Sequence, residues 1–375
     1  MRERVAALMF IAALAACSTN SSKLGTDAAK LVEFKPTTTL DVRWHSEIGT
    51  AGNNTLQPAL ARDAIYAANA KGQLFRLEQA TGKRVWQTDS GFTISAGVGA
   101  GDGLVLVGGL KGELAAFDED GKLRWQTRVS SEVLNAPQIA DGIVVVRTGD
   151  GRINGLDASD GKRLWLYERA MPSLIVRSHA GVTIDNKTVY AGFAAGKLAA
   201  ISLITGVVLW ETVVSQPRGN TELERISDII SAPAVEGDRV CAVAFQGRIA
   251  CFNQAQGGLL WSRDLSSDKG MALRGNYLYM TGENGTVLAL DKNSGSSVWK
   301  NDQMILRRIS APLALSNYLL VGDFEGYIHV LKIEDGALAA RLKIDGSPIL
   351  TTPLEMDGGA LIQTHGGGLY SVALH

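Results

Sequence analysis

The sequence lacks an excess of charge of either sign. Among 375 residues, 37 lysines and arginines face 38 aspartates and glutamates, a formal net charge of −1. Proteins that bind nucleic acid through its phosphates carry a basic surplus, so that class of partner is excluded. Histidine is scarce: His45, His179, His329, His365 and His375 are the five, and no two stand at zinc-ligand spacing. No metal or other cofactor is therefore expected, and the scattered serines, histidines and aspartates form no recognisable catalytic group. Three cysteines are present, none with a base arranged beside it in the sequence. Proline is low at nine and glycine high at 42, with no three-residue period. That combination means many tight turns, not collagen or linker. Helical periodicity is missing after the N-terminal segment. A hydrophobic content of 46% argues against a disordered chain.

What is present begins with an address. Residues 1–16 carry Arg2 and Arg4, then an apolar run from Val5 to Leu14, then Ala15 and Ala16. The run is too short to span a bilayer as a helix and reads as a secretory signal peptide. Leu14-Ala15-Ala16-Cys17 resembles a bacterial lipobox, which implies cleavage before Cys17 and lipidation of its thiol. More than one acyl chain gives stable anchoring, at roughly 0.8 kcal/mol per buried CH₂. Ser18, not Asp, follows the cysteine, which in the enteric-type sorting pattern implies the outer membrane. Residues 17–39 then read as the lipidated cysteine and a polar, flexible tether.

The rest is a repeat. Trp44, Trp86, Trp125, Trp165, Trp210, Trp261 and Trp299 are spaced by 42, 39, 40, 45, 51 and 38 residues. From Trp86 onward a glycine lies four residues before each, as in NGLDASDGKRLW ending at Trp165. A further copy, HVLKIEDGALAA, places Ala340 where tryptophan would stand. Each unit also has an earlier half of β-branched runs and Asp-Gly turns, such as Asp102-Gly103 and Asp141-Gly142. Four short antiparallel strands per unit of about forty residues describe one propeller blade. Seven units end at residues 86, 125, 165, 210, 261, 299 and 340. The stretch Ser347–Leu374 supplies three more strands, and LDVRW around Trp44 supplies a lone last one. The expectation is an all-β chain with a single eight-bladed β-propeller over residues 40–375. Asp41–His45 would close the ring against Leu369–Leu374, leaving no open edge.

The tryptophans recur at a fixed place in the repeat, as scaffolding does, and read as wedges between blades. Cys241 and Cys251 lie on neighbouring strands of one hairpin. A three-residue loop centred on Gln246 sets them opposite one another and permits a disulfide; a two-residue loop puts them on opposite faces. The longest Trp spacings, 45 and 51, place extra residues in the fourth and fifth blades. Inserted segments in repeat proteins map to loops on one face, often the binding face.

The motif AxDxxTGxxxW resembles the repeat of pyrroloquinoline-quinone enzymes, which offers a periplasmic quinoprotein dehydrogenase as an alternative. Those enzymes carry long insertions, a calcium site and often a vicinal cysteine pair; this chain has no Cys-Cys pair and, at 42 residues per blade, little room for insertions. A glycan- or adhesion-type propeller would need exposed loop aromatics, whereas every tryptophan is committed to the repeat. Taken together, length, lipobox, tether and repeat resemble the BamB family of outer-membrane protein assembly factors over the whole chain. That resemblance implies a non-catalytic lipoprotein of the outer membrane, facing the periplasm. Its implied partners are the POTRA domains of BamA, the other Bam subunits and unfolded outer-membrane proteins. The family's Leu-x-Leu-Arg pattern falls on Leu174, Val176 and Arg177, and its Ser-Asp-x-Asp pattern on Ser227, Asp228 and Ile230. Val176 and Ile230 depart from it. Leu174, Val176, Arg177 and Asp228 are the expected partner-binding residues. Arg177 and Asp228 are expected to show opposite charges to the partner, with a mutual ion pair as the alternative.

Overall fold

The structure is a computed structural model that describes residues 28–375. The segment expected to be a signal peptide, residues 1–16, and the expected lipidation site Cys17 lie outside the described residues. Strands pair into eight four-stranded antiparallel sheets. In chain order they span residues 59–89, 99–128, 138–167, 182–213, 234–263, 270–301 and 313–343, here blades one to seven. Blade eight combines residues 354–374 with Leu40–Glu47. The ring is an eight-bladed β-propeller, closed by the pairing of Leu40 with Leu374 through Glu47 with Gly368. The expected fold and its closure are both seen.

Local chemistry explains the strands. The second strand of blade two, Leu104–Gly108, is buried almost throughout because neighbouring blades cover both its faces. An unbroken apolar run suits that position. The turn before it uses Asp102 at φ 48° and Gly103 at φ 76°, the left-handed pair a type I′ hairpin requires. Outer strands instead alternate, as in Val208–Val213, because one face meets solvent.

The tryptophans sit on outer strands and reach across the seams. Each indole Nε1 donates to a backbone carbonyl in the following blade: Trp44 to Gln79 at 3.1 Å, Trp125 to Ala158 at 2.7 Å, Trp261 to Lys292 at 2.8 Å. Trp86, Trp165, Trp210 and Trp299 repeat the bond. Under each ring lies the glycine that precedes the next tryptophan position by four. A Cβ on Gly295 would come within 2.4 Å of the Trp261 ring, and its φ of 69° also disfavours a side chain. So the repeated Trp and Gly are two halves of one joint between blades.

Cys241 and Cys251 are direct cross-strand partners and form a disulfide with Cα atoms 4.0 Å apart. Ala244 still bonds Arg248, which leaves the three-residue loop Phe245-Gln246-Gly247, with Gln246 at φ 50°.

Each blade runs its first strand downward from the face that carries the loops between blades. That face, here called upper, also holds the loops joining second and third strands; the other two turns lie below. Residues 29–39, read from sequence as tether, run along the rim of blade seven, with the Ala29 N–H bonded to the Ile305 carbonyl and the Thr37 N–H to that of Ala339. Val32 and Phe34 supply the apolar contacts there.

Candidate functional site

Two long loops meet on the upper face. One, residues 168–181, joins blades three and four; the other, 214–233, joins blades four and five. Asp228 links them. Its Oδ2 accepts from the Val176 N–H at 2.8 Å, and its Oδ1 accepts from the Ala195 N–H at 3.0 Å. Ala195 lies in a 3₁₀ turn of blade four at φ 57°, a left-handed conformation costing roughly 1–2 kcal/mol for a residue with a side chain. The carboxylate therefore holds a strained turn and a neighbouring loop in one arrangement. Backbone bonds continue the tie: Ile229 N–H to the Phe193 carbonyl, Phe245 N–H to the Asp228 carbonyl.

Asp228 is only 4% exposed. The expectation that it shows its charge to a partner is corrected here. Backbone N–H groups at the turn and the loop need a buried acceptor, and both carboxylate oxygens serve them. The alternative ion pair with Arg177 does not form either. Arg177 points away and approaches Glu132, Nε to Oε1 at 3.4 Å. Bonds from the Ser131 hydroxyl and from Arg177 hold the Glu132 carboxyl below its usual range. The Arg177 side chain is 64% exposed, so it does present charge. Leu174 is exposed at 40%, a large apolar side chain facing solvent. Val176 is half-buried, held by its backbone. Ile230, in place of the family's second aspartate, lines a crevice with Ile175 and Val176.

The structure adds residues that sequence reading missed. Arg147, at the end of the second strand of blade three, lines the same crevice, and its guanidinium lies 5.2 Å from the centre of the Phe193 ring. Burial lowers its pKa to about 10, against the pull of Asp228. It stays charged at neutral pH and supplies the counter-charge that buried Asp228 needs. Loop 168–181 is fixed at its other end by His179, whose Nδ1 lies 2.8 Å from the Leu134 carbonyl. The one available sequence signal was FAAGK at 193–197. Blade four there has alanines where several other blades use Asn, Asp or Gly. The crevice has a volume of about 40 Å³, room for a few waters and not for a substrate. Among the described residues no three His, Cys, Asp or Glu side chains converge on a point that could hold a metal. What the arrangement offers is a mixed surface: an exposed leucine, an exposed cation and a backbone held from beneath.

Ring and surface together define a closed propeller with two long loops tied to each other on one face. The family model described as outer membrane protein assembly factor BamB matches residues 70–301. An outer membrane protein assembly factor BamB of Nitrosomonas eutropha is 41% identical over 358 residues, covering 95% of this chain and 88% of that one. The crystal structure of BamB from Moraxella catarrhalis superposes with a TM-score of 0.83 at 26% identity, covering 89% of this chain and all of that one. A quinohemoprotein alcohol dehydrogenase from Comamonas testosteroni reaches a TM-score of 0.72 at 13% identity, covering 89% and 76%, a likeness of fold alone. The chain belongs to the BamB family of outer membrane protein assembly factors. Its role lies in assembling outer-membrane proteins, and it is not an enzyme.

Proposed function

We propose that the chain is a lipid-anchored scaffold, held at Cys17 in the outer membrane and facing the periplasm, that binds the POTRA domains of BamA. The surface formed by loops 168–181 and 214–233 carries the contact. Leu174 supplies the apolar anchor and Arg177 the exposed charge. Val176 and Asp228 act from below, by fixing the backbone on which those two side chains stand. The single observation behind this reading is the pair of bonds from Asp228 to Val176 and Ala195, which preorganise a loop that would otherwise be mobile. Binding here orients the POTRA domains for folding and insertion of outer-membrane proteins.

Charge reversal at the exposed position tests it. Arg177→Glu should leave the fold unchanged by circular dichroism and reduce BamA recovered from detergent-solubilised envelopes by tenfold or more. Rim charges act largely on association rate and salt dependence, so the loss should be greatest at low salt. Undiminished capture removes this surface from the account.

A second reading has its own support. The outer strands of blades one to six expose apolar residues at Val85, Leu123, Leu164, Leu209, Leu259 and Val298. Unpaired strand edges of this kind accept extended segments by strand addition. Delivery of unfolded outer-membrane proteins along the rim would use those edges.

A further inference from the structure

Blade seven differs from the other blades in a buried ionic network at its upper end. Asp323 Oδ2 accepts from Arg307 Nε at 2.9 Å and Nη2 at 2.7 Å, and lies 2.8 Å from His329 Nε2. Arg341 Nε donates to His329 Nδ1 at 3.2 Å. Asp323 and His329 are fully buried and Arg307 is nearly so. Networks of this kind are weak stabilisers, because desolvation offsets most of the attraction. This one supplies direction. Each arginine turns its Nη1 toward the N-terminal strap: Arg307 donates to the Ala29 carbonyl and Arg341 to the Val32 carbonyl, both at 3.0 Å.

The strap runs antiparallel to the outer strand of blade seven, Leu338–Lys343, from the upper face to the lower. At its upper end the Ala29 N–H bonds the Ile305 carbonyl at 2.9 Å. Midway, the Arg341 guanidinium lies 5.1 Å from the Phe34 ring centre. Lower down, the Thr37 N–H bonds the Ala339 carbonyl at 2.9 Å, and Thr38 donates its hydroxyl to the carbonyl of His375. The chain then turns upward into Leu40–Glu47 of blade eight.

We propose that blade seven is a docking site for the chain's own segment 29–39, and that docking makes the N-terminal tether leave the ring at its upper face. This is the face that carries loops 168–181 and 214–233. Resting on the lipid-anchor reading above, it places the membrane on the side of the partner-binding loops. With the strap free, the first fixed residue is Leu40 at the lower face. The span from Cys17 to the ring then grows from twelve to twenty-three residues, and its greatest reach from about 40 to about 80 Å. Arg307 and Arg341 thus act as positioning residues for the whole propeller.

The test uses the full-length lipidated chain in vesicles of phosphatidylethanolamine and phosphatidylglycerol carrying an acceptor-labelled lipid. A donor dye is attached at Thr221→Cys in an upper loop or at Asn293→Cys in a lower turn. Cys241 and Cys251 are paired, and lipidated Cys17 offers no thiol. Energy transfer should be several-fold stronger from position 221 than from 293. Two variants release the strap: Arg307→Met with Arg341→Met, and Val32→Asp with Phe34→Asp, the latter sparing the buried network and hence the fold of blade seven. Both should bring the ratio toward one. Equal transfer in the unmodified chain overturns the proposal, as does an unchanged ratio in variants whose strap amides exchange freely. Hydrogen exchange decides docking independently of lipid: the amides of Ala29 and Thr37 should be slow in the unmodified chain and fast in both variants, while blade seven stays protected. Fast exchange in the unmodified chain overturns docking. Failure of the chain to join vesicles at all contradicts the anchor reading and leaves docking to be decided by exchange.

Discussion

Seven of the eight seams in the ring are closed by an indole resting on a glycine; the seam between blades seven and eight is not. The difference shows what the joint requires. An indole needs a turn between the third and fourth strands of the next blade, with a carbonyl to bond and a glycine to rest on. In blade eight those strands come from opposite ends of the chain, Gly368–Leu374 and Leu40–Glu47, so no turn joins them. A tryptophan at position 340 would have nothing to meet. Ala340 stands there and packs with Leu40, Tyr370 and Val372. The chain's own N-terminal strap then lies along the same blade. The seam that cannot use the repeated joint is closed by the chain ends.

Trp261→Ala breaks the comparison most severely. Truncating a buried tryptophan costs about 3–5 kcal/mol, here including loss of the bond to Lys292. Chemical unfolding should show that loss with little change in the slope of stability against denaturant. The converse substitution sharpens the contrast. If tryptophan alone closed seams, Ala340→Trp would stabilise the ring. With Ala340 at 4% exposure and no glycine opposite, overpacking should instead cost about 1–3 kcal/mol in the same measurement.

Acid should act through the buried ionic network of blade seven, on the side that faces blade six. Burial lowers the pKa of His329, outweighing the pull of Asp323 toward the charged form. Because Arg341 donates to Nδ1, the ring is neutral with its proton on Nε2, directed at Asp323. Arg307, Arg341, Asp323 and the Tyr327 ring are the groups that face it. The unfolded chain takes up the proton near pH 6.5 and the folded chain only below that. The unfolded state therefore binds more protons in between, and stability rises with pH there. The contribution is complete above about pH 6.5 and is lost as pH falls below it. Asp323 continues the trend at lower pH. Burial raises its pKa, but bonds from His329 and Arg307 lower it further, so its contribution holds above the ordinary aspartate value and fails as pH drops through the folded one. Melting temperature measured from pH 7.5 to 5 should fall. His329→Gln should flatten the part of that slope nearest pH 6, while Trp44→Ala should shift the whole curve without changing its shape.

Much of the ring was legible because it repeats. Tryptophan spacing gave the blade count, and the unpaired LDVRW segment gave the closure. Whether Cys241 faces Cys251 stayed open between two loop lengths until the structure showed the three-residue turn about Gln246. The site was legible as a region but not as a mechanism. Asp228 reads as a surface charge because its partners are the backbone N–H groups of Val176 and Ala195, and backbone donors leave no mark on a sequence. Arg147 and Glu132 stand in ordinary strand and loop positions, and only the packing of neighbouring blades brings Arg147 to the crevice and Glu132 to Arg177. The strap escaped notice for a related reason: Arg307 reaches a carbonyl 278 residues away, in a stretch whose polar composition suggests a tether.

Equilibrium binding of purified BamA POTRA domains to Asp228→Ala, beside Trp44→Ala as a destabilised control remote from the two loops, tests the central claim most directly. If Asp228 holds the binding surface from beneath, its alanine variant should bind at least tenfold more weakly at a temperature where both variants are folded, while Trp44→Ala binds like the unmodified chain. Equal affinity for all three would contradict the claim.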